Sequence, residues 1–446
     1  MKTEWLSKLK QVLPGETVFT DTHSRMKFSR DYFHFSPVLE RELSSCVADC
    51  IVRPHTDAEL DMVLSIAAEY EVPITVRGSG TGNYGQSVPM CGGIVLDMSS
   101  LDQILGIENG IMVARAGARM GRMERFARRH GWELRVYPST FRTATIGGFV
   151  AGGSGGIGSI KWGTVWDGWV RKLKVKTVES QPRTVLVEGD EVIPYIHNYG
   201  TSGVVSELHI ALAPKVEWEQ WAIAFSDFIL ALRFGLALAH DEALPKRLVS
   251  IHEWPIPSYF SPIRLPRDRA VCLLEVGTEG AERLLKYVNE FRGDIALHIG
   301  PEAYHRGTGL SDFTWNHTTL WARKQDPNMT YLQAQFSIQT WENQIQILKS
   351  EFPDLLMHIE LMKSQDVLTV SGLPLLPYKD DVHLDAVIQR CESIGVFIAN
   401  PHTWRLEYGG RSPEKKKLLE VKRMNDPFGL LNPLKLNIEE NAEQAV

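Results

Sequence analysis

The segment that most constrains this chain is TIGGFVAGGSGGIGS, Thr145 to Ser159, where glycines are interleaved with Ile146, Phe149, Val150 and Ile157. Flexible linkers are rich in serine and other polar residues. Apolar side chains between glycines require instead a backbone that turns tightly while its neighbours pack. Glycine allows such turns and lets a ligand come within contact distance of the main chain. Two other segments share this character. RGSGTGNYGQ, Arg77 to Gln86, follows PITV (Pro73 to Val76), which reads as a short buried strand, and YGTSGVVSE, Tyr199 to Glu207, runs into another. Inward-turned N–H groups in such a loop suit a diphosphate. The first loop is not the dinucleotide fingerprint, because a second glycine turn and a proline follow it where a helix would have to start. No GK[ST] phosphate loop occurs either. Three glycine segments, each beside a strand, point to several stretches of backbone wrapped around one long ligand.

The remaining pattern is mixed α and β. Thr56 and Glu59 form a capping box ahead of Leu60, Val63, Leu64 and Ala67, which repeat at helical spacing. GGIVLDMSSL and IMVARAG read as strands, and Met120 to Gly131 as an arginine-rich helix closed by glycine. VRKLKVKTVES and PRTVLVEGDEVI alternate with period two, as in a hairpin with Gly189–Asp190 at its turn. The texture changes after Pro214. VCLLEVG, GDIALHIG and DLLMHIELM read as strands, while ERLLKYVNEF, YLQAQFSIQTWENQIQILKSEF and Phe228 to Ala239 read as helices. A chain of 446 residues exceeds what a single core serves, so two or three domains are expected.

A net charge of −6 and a pI near 6.2 give no basic bias toward nucleic acid or an anionic membrane. The five cysteines, Cys46, Cys50, Cys91, Cys272 and Cys391, are odd in number and irregularly spaced, so free thiols are expected and no metal set. MKTEWLSKLKQVLPGE lacks the apolar region of a signal peptide, and no run approaches the roughly 20 apolar residues of a membrane span. A soluble, cytoplasmic protein acting on a small molecule is expected, with its electron acceptor and oligomeric state left open.

In order along the chain, PITVRGSGTG, GGIVLDMSSL, TATIGGFVAGGSGG, KWGTVWD, GTSGVVSE and, far downstream, NDPFGLLNPLK resemble the motifs of the vanillyl-alcohol oxidase and para-cresol methylhydroxylase (PCMH) superfamily of FAD enzymes. The glycolate oxidase and D-lactate dehydrogenase branch is the most similar. The resemblance covers most of residues 46–214 and 424–435. It implies an α+β protein with a two-lobed PCMH-type FAD-binding domain over 1–214, a separate α+β substrate or cap domain over 215–410, and a C-terminal segment, 411–446, returning to the flavin. It implies that Arg77, Gly78, Ser79, Gly80, Thr81, Gly82 and Asn83 wrap the FAD diphosphate. Pro138, Ser139, Thr140, Thr145, Ile146, Gly147, Gly148, Gly152, Gly153, Ser154 and Gly155 would line the ribityl and adenosine path. Trp162, Gly163 and Asp167 would brace a loop, Val204 and Val205 would offer backbone near the adenine, and Asn432 and Lys435 would approach the isoalloxazine. A side chain added at Gly147 is expected to occupy the cofactor path.

The sequence departs from the family in two places. Gly80 stands where relatives with covalent flavin carry histidine, and no cysteine accompanies TATIGG, so non-covalent FAD is expected. The H-x-G-D-G-N-x-H metal signature of the lactate and glycolate branch is absent, and LLMHIELM stands in its place with His358 and Glu360. Alcohol oxidation needs a base for the hydroxyl proton and a hydride acceptor. His402, in the stretch resembling the family's E-H-G segment, His317, and the pair His358 and Glu360, on one face of a strand, are the candidates. His298 and His305 read as surface residues. Arg323 and Arg405 would hold the carboxylate of a 2-hydroxy acid, and Trp315, Trp321 and Trp404 would wall the ring. Oxidation of an alditol, sugar or aromatic alcohol would not need the arginines. A non-catalytic FAD-binding subunit or electron relay is the reading from another class.

Overall fold

The computed structural model describes residues 2–304, 306–409 and 414–437. Among them three larger sheets carry the architecture. The first has four strands in the order Val18–Phe19, Cys50–Val52, Ile94–Asp97, Ile74–Arg77. Its last three are parallel, joined in part by the helix Asp57–Glu69. Thr56 caps that helix, with its hydroxyl accepting from Glu59 N at 3.1 Å, and Leu60, Val63, Leu64 and Ala67 are buried, as the spacing predicts. Leu431 bridges to Ile74, so the C-terminal segment extends the edge of this sheet.

The second sheet is antiparallel, in the order Ile104–Glu108, Ile111–Arg115, Val204–Pro214, Val170–Lys176, Thr184–Glu188. The two strands expected to form a hairpin do pair, but the reversal lies in residues 177–183. Gly189–Asp190 instead opens the 3-10 turn Gly189–Tyr195. The glycine segment expected as a loop contains a short helix, Ile146–Gly152, capped by Thr145. Its apolar residues Ile146, Phe149 and Val150 pack into this lobe's core.

The third sheet has eight strands, running from Asp294–Ile299 through Trp218–Phe225, Ala270–Gly277, Lys246–His252, His358–Ser364, Val367–Gly372 and Ala334–Phe336 to Phe397–Ile398. YLQAQFSIQTWENQIQILKSEF is helical only over Trp341–Glu351. Its first residue ends the strand Met329–Tyr331, which pairs with Leu375–Pro377 in a separate two-stranded sheet, and Ala334–Phe336 joins the eight-stranded sheet, so that Tyr331 and Phe336 enter different cores. Helices Phe228–His240, Ala281–Glu290, Trp341–Glu351 and Asp381–Ser393 cover one face, burying Val249, Ile251, Ile359, Leu361 and Val370. With a period of two, Ser250, His252, His358, Glu360, Met362 and Ser371 therefore point to the opposite face. That face meets the helix Asn316–Gln325 and the glycine segments.

Candidate functional site

The three glycine segments are tied to one another. Gln86 Nε2 donates to the Gly152 carbonyl at 3.1 Å, Tyr199 N–H donates to the Ala151 carbonyl at 2.8 Å, and Ser79 Oγ donates to the Thr143 carbonyl at 2.5 Å. Between them and the third sheet lies a cleft continuous with solvent. Its floor is backbone and small side chains. Gly80 and Gly200 have φ of +63° and +71°, conformations that glycine adopts without strain.

The cleft is lined by Arg77 to Asn83, Pro138 to Thr140, Thr145, Gly147, Gly148, Gly152 to Gly155 and Val205. These expected cofactor residues are thus brought together from four separate stretches. The Arg77 guanidinium is turned away: it donates to the Arg30 carbonyl at 2.7 Å and to Ser87 at 3.1 Å, so it braces the loop. Gly147 also lines the cleft, but a Cβ there would meet Ala116 Cβ at 2.8 Å and its carbonyl oxygen at 2.9 Å. The side chain expected in the cofactor path would strike the neighbouring backbone instead.

Other expected cofactor residues stand behind the cleft wall. Ile146 and Val204 are core residues. Asp167 accepts from Thr164 N at 2.6 Å and from Gln365 N at 2.8 Å, bracing its own turn and tying it to the third sheet. Gly163 packs on Asp167, and the Trp162 ring lies 4.7 Å from the Arg135 guanidinium carbon. Asn432 donates to the Tyr199 carbonyl. Lys435 is fully buried and donates to the Gly85 carbonyl, supporting the first glycine loop from beneath. Burial pushes its ammonium down to about 8, against the pull of Asp31.

Sequence reasoning did not foresee the opposite wall, apart from Trp315. Trp315, Asn316, Gln333, Met362, Ser371 and Leu373 come from the third sheet and its covering helix, and Tyr84 and Tyr199 from the glycine segments. Gln333 donates to the Tyr84 hydroxyl, and Asn83 Nδ2 donates to the Tyr331 hydroxyl at 2.6 Å, so polar bonds join the two walls. Trp315 has φ 54° and ψ −140°, a conformation that costs a non-glycine residue about 1–3 kcal/mol. Its ring lies against Gly155, where an added Cβ would be 3.0 Å from Cη2. Its N–H donates to Glu360 Oε1 at 2.7 Å.

Glu360 Oε1 also accepts from Ser250 Oγ at 2.8 Å and from His358 Nε2 at 2.8 Å, and the His358 ring stacks on His252 at 4.5 Å. Burial pushes the Glu360 carboxyl up and the His358 imidazole down, each toward its neutral form. None of the catalytic candidates lines the cleft, and Glu360 and His358 are buried, Glu360 one bond behind Trp315. His402 is buried, with Ser36 Oγ donating to Nδ1 at 2.8 Å and Nε2 donating to the Tyr331 carbonyl at 3.0 Å. His317 is held near Asp312, its imidazole lowered by burial. Arg323 donates to the Met329 carbonyl at 2.6 Å, and Arg405 is exposed over Trp404 and Tyr408. Trp321 donates to the Asp312 carbonyl, and Trp404 packs beside Leu43. His298 stacks on Trp221 near the surface, while His305 lies outside the described residues, as do 411–413 and 438–446 of the C-terminal segment. Among the described residues no group of three His, Cys, Asp or Glu is placed to hold a metal, and no helix is long and apolar enough to cross a membrane.

A glycine-floored cleft between an α+β double lobe and a covering antiparallel sheet defines a flavoprotein fold. Residues 48–179 match the FAD binding domain family. The chain is similar to a D-lactate dehydrogenase of Archaeoglobus fulgidus, 28% identical over 46% of this chain and 49% of that protein. It is also similar to the glycolate oxidase subunit GlcD of Bacillus subtilis, 30% identical over 41% of this chain and 40% of that protein. The chain thus matches about half the length of these relatives or less. Its fold is similar to that of an alkyldihydroxyacetonephosphate synthase structure, with TM-score 0.73 and 17% identity over 97% of this chain and 85% of that one.

Proposed function

We propose that this chain is an FAD-dependent oxidoreductase that oxidises a CH–OH group of a small substrate to a carbonyl. The observation that carries it is the cleft itself, whose glycine floor suits the cofactor and whose opposite wall offers polar side chains to a second molecule. When bound, FAD supplies the two-electron acceptor for the hydride that leaves the alcohol carbon. The backbone of 78–82 and the stretch 145–155 hold the cofactor, with Gln86 tying the two segments together at the cleft and Lys435 supporting the first from behind. In this reading the FAD is non-covalent, because Gly80 stands where relatives with covalent flavin carry histidine and no cysteine accompanies TATIGG.

The residues of the opposite wall orient the alcohol and exclude water. Glu360, with His358, is the proton-handling pair, because Glu360 is bonded directly to the backbone of cleft-lining Trp315. Burial favours a neutral carboxyl, so the pair can hold a proton at Glu360 near neutral pH. His402, His317, Arg323 and Arg405 carry no catalytic role in this reading, since none of them is joined to a cleft-lining residue as Glu360 is joined to Trp315. Residues 1–214 with the C-terminal segment form the cofactor unit, and 215–410 the cap.

The names of the relatives in the lactate and glycolate branch make 2-hydroxy acids one substrate class. The placement of Arg323 and Arg405 away from the cleft favours the second, neutral alcohols. The test is the visible spectrum of the purified protein before and after acid precipitation, then anaerobic bleaching with both classes. Yellow colour released into the supernatant and bleached by a CH–OH donor supports the proposal. Colour kept in the pellet would mean a covalent link. Protein that takes up FAD but bleaches only with dithionite would favour an electron-relay subunit.

A further inference from the structure

Three buried polar atoms on the cap-side wall have no hydrogen-bond partner: Trp315 Nε1, Asn316 Oδ1 and Ser371 Oγ. All three residues line the cleft, and Ser371 is only 4% exposed. Leaving a buried donor or acceptor unpaired costs its desolvation, so native proteins rarely leave such groups empty. Their grouping is not accidental to the fold. Ser371 sits opposite Glu360 in the strand pairing, Trp315 donates its N–H to that same Glu360, and Asn316 follows Trp315 at the start of the helix.

From these atoms, and resting on the proposed CH–OH oxidation, we infer that Trp315, Asn316 and Ser371 form a hydroxyl-reading subsite that selects a neutral polyhydroxylated substrate of the alditol or sugar class. The donor and acceptor inventory decides the chemistry. Trp315 Nε1 can only donate, Asn316 Oδ1 can only accept, and Ser371 Oγ can do either. A hydroxyl group both donates and accepts, so neighbouring hydroxyls of one molecule satisfy all three. A 2-hydroxy acid brings a single hydroxyl beside a carboxylate that can only accept, so it offers fewer donors to Asn316 Oδ1 and Ser371 Oγ than an alditol or sugar does. The strained backbone of Trp315, fixed by Glu360, holds the indole donor in place before the substrate arrives.

The test uses the FAD-loaded protein and its Asn316→Ala and Ser371→Ala variants, with xylitol, sorbitol, D-lactate and glycolate as probes. Two readouts are taken: the melting temperature against xylitol concentration, and anaerobic flavin bleaching. Xylitol is expected to raise the melting temperature and bleach the flavin. Both variants keep FAD, and the half-saturating xylitol concentration rises about tenfold, as loss of one buried hydrogen bond predicts. Flavin loss from both variants would overturn the inference, because the three atoms would then serve the cofactor. Bleaching by D-lactate or glycolate but not by the alditols would also overturn it, while leaving CH–OH oxidation standing. If neither class bleaches the flavin, the proposed activity fails and the melting shift decides the subsite: a xylitol shift lost in Asn316→Ala supports it, and no shift overturns it.

Discussion

The Trp315 N–H donates to Glu360 Oε1 at 2.7 Å, and this bond joins the strained residue at the cleft wall to the buried cluster of Ser250, His252 and His358. A carboxyl oxygen that collects three donors fixes all of them at once. Removing it strands each one in a site from which water is largely excluded, which is costlier than the net worth of any single bond.

Glu360→Ala should therefore lower stability by about 2–4 kcal/mol and release Trp315 from its conformation. Glu360→Gln keeps the shape but cannot titrate. In that variant FAD should stay bound, while the bleaching rate loses its dependence on the Glu360 proton. Urea denaturation and a pH profile of anaerobic flavin reduction check the two variants. An unchanged profile in Glu360→Gln would remove Glu360 from proton handling and leave it a structural brace.

Arg247 makes the second buried junction. Its guanidinium lies 3.3 Å from both Glu133 and Glu275 and packs on the rings of Tyr137, Trp218 and Tyr304. Glu133 and Tyr137 belong to the glycine-loop lobe, Glu275 and Tyr304 to the covering unit. Truncating one member of such a cluster leaves uncompensated buried charge, so Arg247→Ala should cost about 3–5 kcal/mol. Because Pro138, next to Tyr137, lines the cleft, FAD affinity should fall with it. Calorimetry of the apo- and FAD-loaded forms separates the two effects.

The glycines give a contrast within one short helix. At Gly147 an added Cβ would meet Ala116 at 2.8 Å, but at Gly152 the nearest atom is Gln86 Nε2 at 3.5 Å, an ordinary contact. Gly147→Val should lose FAD because the helix is displaced, whereas Gly152→Ala should fold with its melting temperature nearly unchanged. Flavin-to-protein absorbance ratios of the two purified variants check this. A fully flavinated Gly147→Val protein would contradict the packing argument.

The glycine wall was legible in sequence because each glycine marks a local backbone demand, and the apolar residues between them mark packing. The other wall was mostly not, because its members come from distant strands. Ser371 and Glu360 meet only through strand pairing, and Asn316 meets them only when its helix covers the sheet. His402 shows the converse. A histidine in a stretch resembling the family's E-H-G segment suggests chemistry, yet its partners are Ser36, 366 positions away, and a main-chain carbonyl. Nothing local in the sequence records that long-range satisfaction.

His402 should instead govern acid stability. Burial pushes its imidazole down to about 4, from a usual value of 6.5. The folded form therefore holds it neutral at pH values where the unfolded chain is already protonated. Its contribution is present above pH 6.5 and is lost as pH falls toward 4, on the order of 3 kcal/mol in total. His402→Gln keeps a side chain that can both donate and accept, and it does not titrate. The stability difference between wild type and this variant, from urea midpoints at several pH values, should shrink steadily from pH 6.5 to pH 4. Other buried histidines, and Glu360 with its opposite sign, are common to both proteins and cancel in that difference. A difference that stays constant across the range would mean that the His402 site admits water or a proton in the folded state, and would return this residue to the list of groups able to exchange protons with a substrate.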